Sequence, residues 1–186
     1  LMLAVYDGRL DLDMPEWRGF EADEAGVGSL YPSVVFWFLY GLTAWANGDR
    51  ERGMRALQKT RALGTAASGP HRITALRAAR SAHSGRRRRA DRLYARARHE
   101  ALEDGFLTEA ALIAERHAAC CRDHGDGAGA LDALHAARSL YEAWGARPAA
   151  ARVSAMIASH GGMAPVREAA EPAVEAAARQ TRRASG

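Results

Sequence analysis

The chain has 186 residues, a formal net charge of +4 and an apolar fraction of 48%. This length suits one domain or one short array of repeats, and the apolar fraction is large enough to bury a core. A charge of this size does not indicate a nucleic-acid-binding protein, and no apolar run is long enough to span a membrane. Alanine, the strongest helix former, dominates the apolar content, so we predict an all-α fold.

Residues 1–32 are the least regular part of the chain. Glycine and proline interrupt them repeatedly, and Asp and Glu dominate their charges. Because the chain starts with Leu1 and Met2 inside a helical pattern, we expect a piece of a longer polypeptide. We interpret residues 1–32 as an irregular segment, the end of a preceding region.

Helical patterns separated by glycine turns follow from Ser33, which we predict to cap the first helix. The last of them has Pro148 in its first turn, where proline is tolerated. We predict helices over residues 33–47, 50–63, 71–83, 87–104, 108–124, 128–144 and 147–160. Residues 161–186 are rich in Ala, Glu and Arg, and we expect a mobile tail or linker there.

The helices repeat in pairs when they are aligned on the turn glycines Gly48, Gly85 and Gly125, which lie 37 and 40 residues apart. These spacings are close to the 34 residues of a tetratricopeptide repeat (TPR). The aligned second helices carry a small residue (Gly53, Ala90, Ala130), a large one (Leu57, Tyr94, Leu134) and another small one (Thr60, Ala97, Ala137). The aligned first helices carry Gly41, Ala78 and Ala118.

This order of sizes is typical of TPRs, in which small residues let the helices approach and the large residue fills the groove between repeats. We therefore predict a TPR-like α-solenoid of stacked antiparallel helix hairpins over residues 33–160. Its parts are the pairs 33–63, 71–104 and 107–145 and a capping helix at 147–160. An irregular helical bundle is the alternative.

Between Ala90 and Val153, many residues match the sequence pattern of one kind of helical region. They are Ala90, Leu93, Tyr94, Ala97, Asp104, Gly105, Phe106, Glu109, Ala110, Ala111, Leu112, Glu115, Gly125, Ala130, Ala137, Tyr141, Trp144, Gly145 and Ala146. This stretch resembles the helical region of large bacterial signalling proteins. Those proteins join a serine/threonine kinase domain, a STAND-type ATPase, this helical region, a GAF domain and often a sensor histidine kinase.

The resemblance covers residues 33–158 and implies a TPR-like, non-catalytic module of an ATP-binding protein family. The chain departs from the family at Pro148, where a lysine-rich helix start is usual. It also contains no kinase catalytic loop, no P-loop and no histidine-kinase box. The family's enzymatic functions therefore cannot be assigned to any residue of this chain.

The chain's own residues suggest little chemistry, and we predict no catalytic residue and no cofactor. His117, Cys121 and His124 share one helix face with Cys120 nearby, and such a group can hold zinc if a fourth ligand joins it. The interpretation we favour is that both cysteines are small core residues and both histidines are partly exposed.

Two carboxylates, Glu109 and Glu115, lie six residues apart on different faces of one helix. We predict that they belong to a solvated helix surface rather than to an acid–base pair. Phe106, which follows the turn residues Asp104 and Gly105, is predicted to fill the next groove.

The run Arg86-Arg87-Arg88-Arg89 has three interpretations: a solvated turn, which we favour, a patch for an acidic protein partner, or a nucleic-acid contact. No aromatic residue interleaves with the basic ones, which disfavours nucleic acid.

Aromatic residues crowd the first predicted helix, which is apolar nearly all round. They are Phe36, Trp37, Phe38, Tyr40 and Trp45. We predict that this helix is buried on two sides, against residues 1–32 or a preceding domain. An exposed partner-binding patch is the alternative.

The resemblance implies a signal-relay module, and the concave face of the predicted stack favours a protein-interaction module. The absence of a disulfide framework fits a cytoplasmic location of this module. Its partner would be another protein or an adjacent domain of the same chain. A stand-alone TPR-like adaptor and the sensor arm of a STAND-type transcriptional regulator are the alternatives.

Overall fold

The structure, a computed structural model, describes Trp17, residues 30–63 and residues 69–161. This part of the chain contains seven helices and no strand, which confirms the all-α prediction. The predictions for the remainder of residues 1–29, for the loop at 64–68 and for the tail at 162–186 lie outside the described residues.

The helices follow one another with short connections. They are α1 (Leu30–Ala46), α2 (Arg50–Leu63), α3 (Pro70–His83), α4 (Arg87–Glu103), α5 (Leu107–Asp123), α6 (Gly127–Trp144) and α7 (Arg147–Gly161). Their bounds agree with the predicted ones to within one residue, except at the start of α1.

The prediction that Ser33 caps α1 is wrong, because the helix begins at Leu30 and Ser33 lies inside its first turn. Pro32 was expected to precede the helix. It is instead the third helical residue, where its missing N–H has no intrahelical partner to lose.

Glycines with positive φ end the helices and reverse the chain. After α3, Gly85 has a φ of 67°, and the N–H of Arg86 donates to the carbonyl of Ser81. After α5, Gly125 has a φ of 74°, and the N–H of Asp126 donates to the carbonyl of Cys121. This is the hydrogen bond of a Schellman cap, and it requires a residue that tolerates the left-handed conformation.

Consecutive helices are packing partners throughout, and contacts between non-consecutive helices join α1 to α3 and α3 to α5. Both helices of the pair α1–α2 pack on α3, and the pair α3–α4 contacts α5 mainly through its second helix, α4. The helix α7 packs on α6.

Nearly every residue assigned to a repeat position is buried. Buried members are Gly41, Gly53, Leu57, Ala78, Ala90, Tyr94, Ala97, Ala118, Ala130, Leu134, Ala137 and Tyr141. Phe106 is partly buried, Gly145 is exposed in its turn, and Trp144 departs from the set because 49% of its surface is exposed.

Gly41 shows why a small residue matters in α1. A Cβ atom at this position would lie 2.7 Å from Cδ2 of Leu76 in α3 and 2.8 Å from Cβ of Ala56 in α2. Both distances are shorter than van der Waals contact, so α1 approaches both helices as closely as a glycine allows.

The aromatic helix α1 is buried, as predicted. Five of its aromatic side chains, those of Phe36, Trp37, Phe38, Tyr40 and Trp45, are at most 6% exposed. Trp17 covers the helix, with its ring centroid 5.4 Å from that of Phe36 and 5.3 Å from that of Tyr40. These five residues therefore do not form an exposed aromatic patch.

We expect Leu134→Ala to lower the free energy of unfolding by about 2–5 kcal/mol, because it removes a fully buried side chain and leaves a cavity. The matched control is Leu102→Ala, since Leu102 is 39% exposed. Urea unfolding followed by circular dichroism measures both. Equal, small losses would show that the position in α6 is not a core position.

Candidate functional site

A buried ion cluster joins the N-terminal ends of α3 and α5. The carboxylate of Glu109 accepts from Nε2 of His71 at 2.7 Å, from Nε of Arg72 at 2.8 Å and from Nη2 of Arg72 at 2.6 Å. The side chains of His71 and Arg72 are fully buried, and the ring of Phe106 lies 4.9 Å from the Arg72 guanidinium. Burial alone would raise the pKa of Glu109, but the bonds from His71 and Arg72 outweigh it and lower the pKa.

A second cluster ties α5 to the two helices that follow it. The carboxylate of Glu115 accepts from the hydroxyl of Tyr141 at 2.9 Å and lies 2.7 and 2.9 Å from the two terminal nitrogens of Arg152. Tyr141 belongs to α6 and Arg152 to α7, so one carboxylate connects three helices.

The prediction that Glu109 and Glu115 lie on a solvated surface is wrong, since they are only 5% and 2% exposed. Their separation of six residues does place them on different faces, but each face is covered by a neighbouring helix. One feature of the sequence could have indicated that Glu109 is buried against Arg72. Arg72 and Glu109 both lie in the first turn of a first helix, so stacking brings opposite charges together. Each of the two carboxylates forms an ion pair that joins α5 to another helix.

The predicted group of His117, Cys121 and His124 does not assemble. Nε2 of His117 lies 3.4 Å from Oδ1 of Asp91 in α4, and Sγ of Cys121 lies within 4.8 Å of both ligand atoms. His124 turns away, and its Nδ1 donates to the carbonyl oxygen of Cys120 at 2.7 Å. Asp91, which the sequence did not single out, takes the place expected for His124.

The cysteines are buried and free, as the favoured interpretation held. Burial, aided by the negative charge of Asp91, raises the pKa of Cys120 to about 12 and that of Cys121 to about 11. Burial also lowers the pKa of His117, although Asp91 opposes this. At neutral pH the group therefore holds protonated thiols and a neutral imidazole, which makes it a poor nucleophilic site.

A groove of about 290 Å³, here called the central groove, lies where the C-terminal halves of α1, α3 and α5 meet. Its polar and aromatic lining residues are Trp45, His83, Tyr94, Arg116, Asp123 and His124. Two donors on its lining residues, Nε1 of Trp45 and Nε of Arg116, are buried without a hydrogen-bond partner among the described residues. Such donors are rare in folded proteins and are satisfied by water or by a ligand.

A second groove, here called the arginine groove, has a volume of about 580 Å³. It is lined by Arg50 and Arg61 of α2, Arg77 and Arg80 of α3, Arg86 and Arg89 at the start of α4, and by Ser81, Ser84 and Leu93. Within the described ranges, no acidic side chain lines it.

The two grooves use opposite faces of α3. Ala79, Ala82 and His83 face the central groove, whereas Arg77, Arg80 and the two serines face the arginine groove. A helix turns by about 100° per residue, which separates these two sets.

The four consecutive arginines have different surroundings. Arg86 and Arg89 line the arginine groove. Arg87 instead pairs with Asp126 at 2.6 Å and with Asp91 at 3.8 Å, so it links α4 to the turn before α6. Its partners therefore explain Arg87, whereas Arg86, Arg88 and Arg89 are exposed, as the interpretation of the run as a solvated turn expects.

Comparison of the chain with protein-family models, with curated proteins and with solved structures finds no match. Among the described helices, none has the length and apolarity needed to cross a bilayer.

We expect Glu109→Gln to lower the free energy of unfolding at pH 7 by about 3–5 kcal/mol, because it removes the negative charge that accepts two hydrogen bonds from the buried Arg72 guanidinium. Glu103→Gln is the control, since Glu103 is exposed at the end of α4 and a surface change of this kind costs at most about 0.5 kcal/mol. Chemical unfolding curves measure both changes. A cost for Glu109→Gln as small as that of the control would contradict a stabilising ion cluster.

The same cluster predicts a pH dependence. The folded state holds the pKa of Glu109 below its ordinary value of 4.5, so the unfolded chain binds this proton first as the pH falls. The contribution to stability is complete above pH 4.5 and is lost as the pH falls through the lower, folded-state pKa. Unfolding curves between pH 6 and pH 3 should therefore show a steeper loss of stability in the natural chain than in Glu109→Gln. Parallel curves would argue against a depressed pKa.

The two cysteines should react slowly with iodoacetamide at pH 8. Because their thiols are buried and largely protonated, we expect labelling at least about a hundredfold slower than in the urea-unfolded chain. The control is Ser139→Cys in a variant with both natural cysteines replaced by serine, because position 139 is exposed on α6. Mass spectrometry follows the reaction, and equally fast labelling in both proteins would refute the assignment of Cys120 and Cys121 to the core.

Proposed function

We propose that this chain is a non-catalytic protein-interaction and signal-relay module, in which the helix pairs stack as a TPR-like solenoid. The contacts of α1 with α3 and of α3 with α5 support the stacking, because such contacts join the first helices of successive TPRs. The resemblance of residues 33–158 to bacterial signalling proteins suggests that the module connects an ATPase or kinase part to a sensor part in the cytoplasm.

The central groove is the observation on which the interaction function rests. It is formed where three successive first helices meet, which is the concave face of a TPR-like stack. Its lining combines an aromatic ring and a cation with buried donors that have no partner in the described chain. An extended peptide supplies backbone carbonyls and carboxylates, which are the acceptors that Trp45 and Arg116 lack.

The relay function rests on the two buried ion clusters. Through Glu109, α5 is tied to α3, and through Glu115 it is tied to α6 and α7. If one helix pair is displaced, either these hydrogen bonds break or the helices that they join move with it. Such a stack can move as a unit when a neighbouring domain changes its state.

We expect a library of displayed random peptides to yield sequences that bind the purified chain. In Arg116→Glu their affinity should fall at least about tenfold, because the change puts a negative charge among the acceptors of the peptide. Arg122→Glu, on the same helix but outside the groove lining, should change the affinity less than about twofold. No enrichment, or equal losses in both variants, would refute an interaction site in the central groove.

The coding sequence on either side of the chain tests the signalling context and both alternatives. A kinase or P-loop segment upstream and a GAF or histidine-kinase segment downstream would support the relay module. An independent start and a nearby stop would favour the stand-alone adaptor. A helix-turn-helix downstream would favour the sensor arm of a STAND-type regulator.

A further inference from the structure

We propose that the arginine groove is a second binding site, separate from the central groove, and that its ligand is an acidic segment of a partner protein. The juxtaposition behind this proposal is a set of six arginines from three helices around one groove that no acidic side chain of the described chain enters.

The six groove arginines differ from the arginines that form ion pairs elsewhere in the described chain. Outside the groove, carboxylates accompany many arginines: Arg52 lies 3.5 Å from Asp49, Arg96 lies 2.6 Å from Glu100, and Arg138 lies 3.7 Å from Glu142. None of the six groove arginines has a carboxylate within ion-pairing distance in the described structure. Carboxylates are thus available to the fold and are placed away from the groove.

Like charges at this density repel one another. The pKa of Arg77 is lowered by burial and then by the positive charges of Arg61, Arg89 and Arg96, against which the carboxylate of Glu100 acts in the opposite direction. This repulsion opposes folding and is relieved when negative charge enters the groove. Helix stacking alone does not require the cluster, because Leu93 is the only apolar residue in the lining.

The groove suits carboxylates better than nucleic acid. Its lining contains no aromatic ring on which a base can stack. A volume of about 580 Å³ between three helices admits a short extended segment, as small-ligand pockets do, and does not admit a duplex. Guanidinium groups bind carboxylates through two parallel hydrogen bonds, so a segment with several Asp or Glu residues can engage several arginines at once.

The two serines that line the groove use their hydroxyl protons within α3 and the turn that follows it, so the arginines supply the hydrogen-bond donors for a ligand. The hydroxyl of Ser81 donates to the carbonyl of Arg77 at 2.8 Å, and that of Ser84 donates to the carbonyl of Arg80 at 2.9 Å. Because both hydroxyl protons are already engaged, the free donors in the groove are guanidinium N–H groups. A ligand must therefore supply acceptors, and a negatively charged acceptor binds more strongly than a neutral one because it also offsets the repulsion among the arginines.

The test uses a fluorescein-labelled peptide of alternating Glu and Gly residues and fluorescence anisotropy. We expect Arg80→Glu/Arg89→Glu to weaken binding at least about tenfold. The matched control is Arg88→Glu/Arg92→Glu, which removes the same charge from exposed positions of the same region outside the groove lining. The control should lose less than about threefold, because rim charges act mainly on the association rate. Arg116→Glu should bind the acidic peptide as the natural chain does, which separates this site from the central groove.

Thermal unfolding by circular dichroism shows whether each variant is folded, and Arg80→Gln/Arg89→Gln repeats the test without introducing negative charge. Equal losses in the groove variant and the control would refute a defined site and leave only a general effect of net charge. Failure of the natural chain to bind the peptide at low salt would also overturn the proposal. So would tighter, groove-dependent binding of a single-stranded oligonucleotide of equal charge, because the ligand class would then be nucleic acid.

Discussion

The ion cluster of Glu109 with His71 and Arg72 is the interaction on which the arrangement of the helices depends. It lies between the N-terminal ends of two first helices, and its side chains are withdrawn from water. A buried pair of this kind gains little over a well-packed apolar contact, but losing one partner leaves an uncompensated charge. The cluster therefore adds little net stability, and its main effect is to select one register of α3 against α5. The register between α3 and α5 must bring the carboxylate to the guanidinium, and other registers are penalised.

Alanine explains why such a cluster is needed. Helices that meet through Ala78, Ala118 and similar small residues approach closely, yet each alanine buries little area and distinguishes poorly between alternative registers. Large side chains such as Tyr94, whose ring lies 5.4 Å from that of His117 in the next pair, correct this in part. Glu109 adds to the correction between α3 and α5, and Glu115 adds to it between α5, α6 and α7. Polar groups thus supply the specificity that a core of small residues cannot supply.

The sequence predicted the helices well because their ends are local features. A glycine such as Gly85 or Gly125 ends a helix through its own backbone conformation, and no distant residue is needed. The environments of Glu109, Asp91 and Arg87 are not local, since their partners lie between 26 and 39 residues away. A single helix shows only that these charges are on its surface. Which surfaces become interfaces depends on the stacking of the pairs, and for that reason the carboxylates were wrongly placed in solvent and Asp91 was missed.

The distribution of charge separates two roles within one fold. Acidic residues of α5 are buried between packed helices, where each meets a cation from another helix. Arginines of α2, α3 and the start of α4 surround a groove without such partners. If the groove arginines served only folding, a carboxylate placed among them would make the fold more stable, as Asp126 does beside Arg87. Arg87 of α4 is neutralised by Asp126, whereas the arginines of the arginine groove have no carboxylate partner in the described chain. This difference is expected if a partner supplies the missing negative charge.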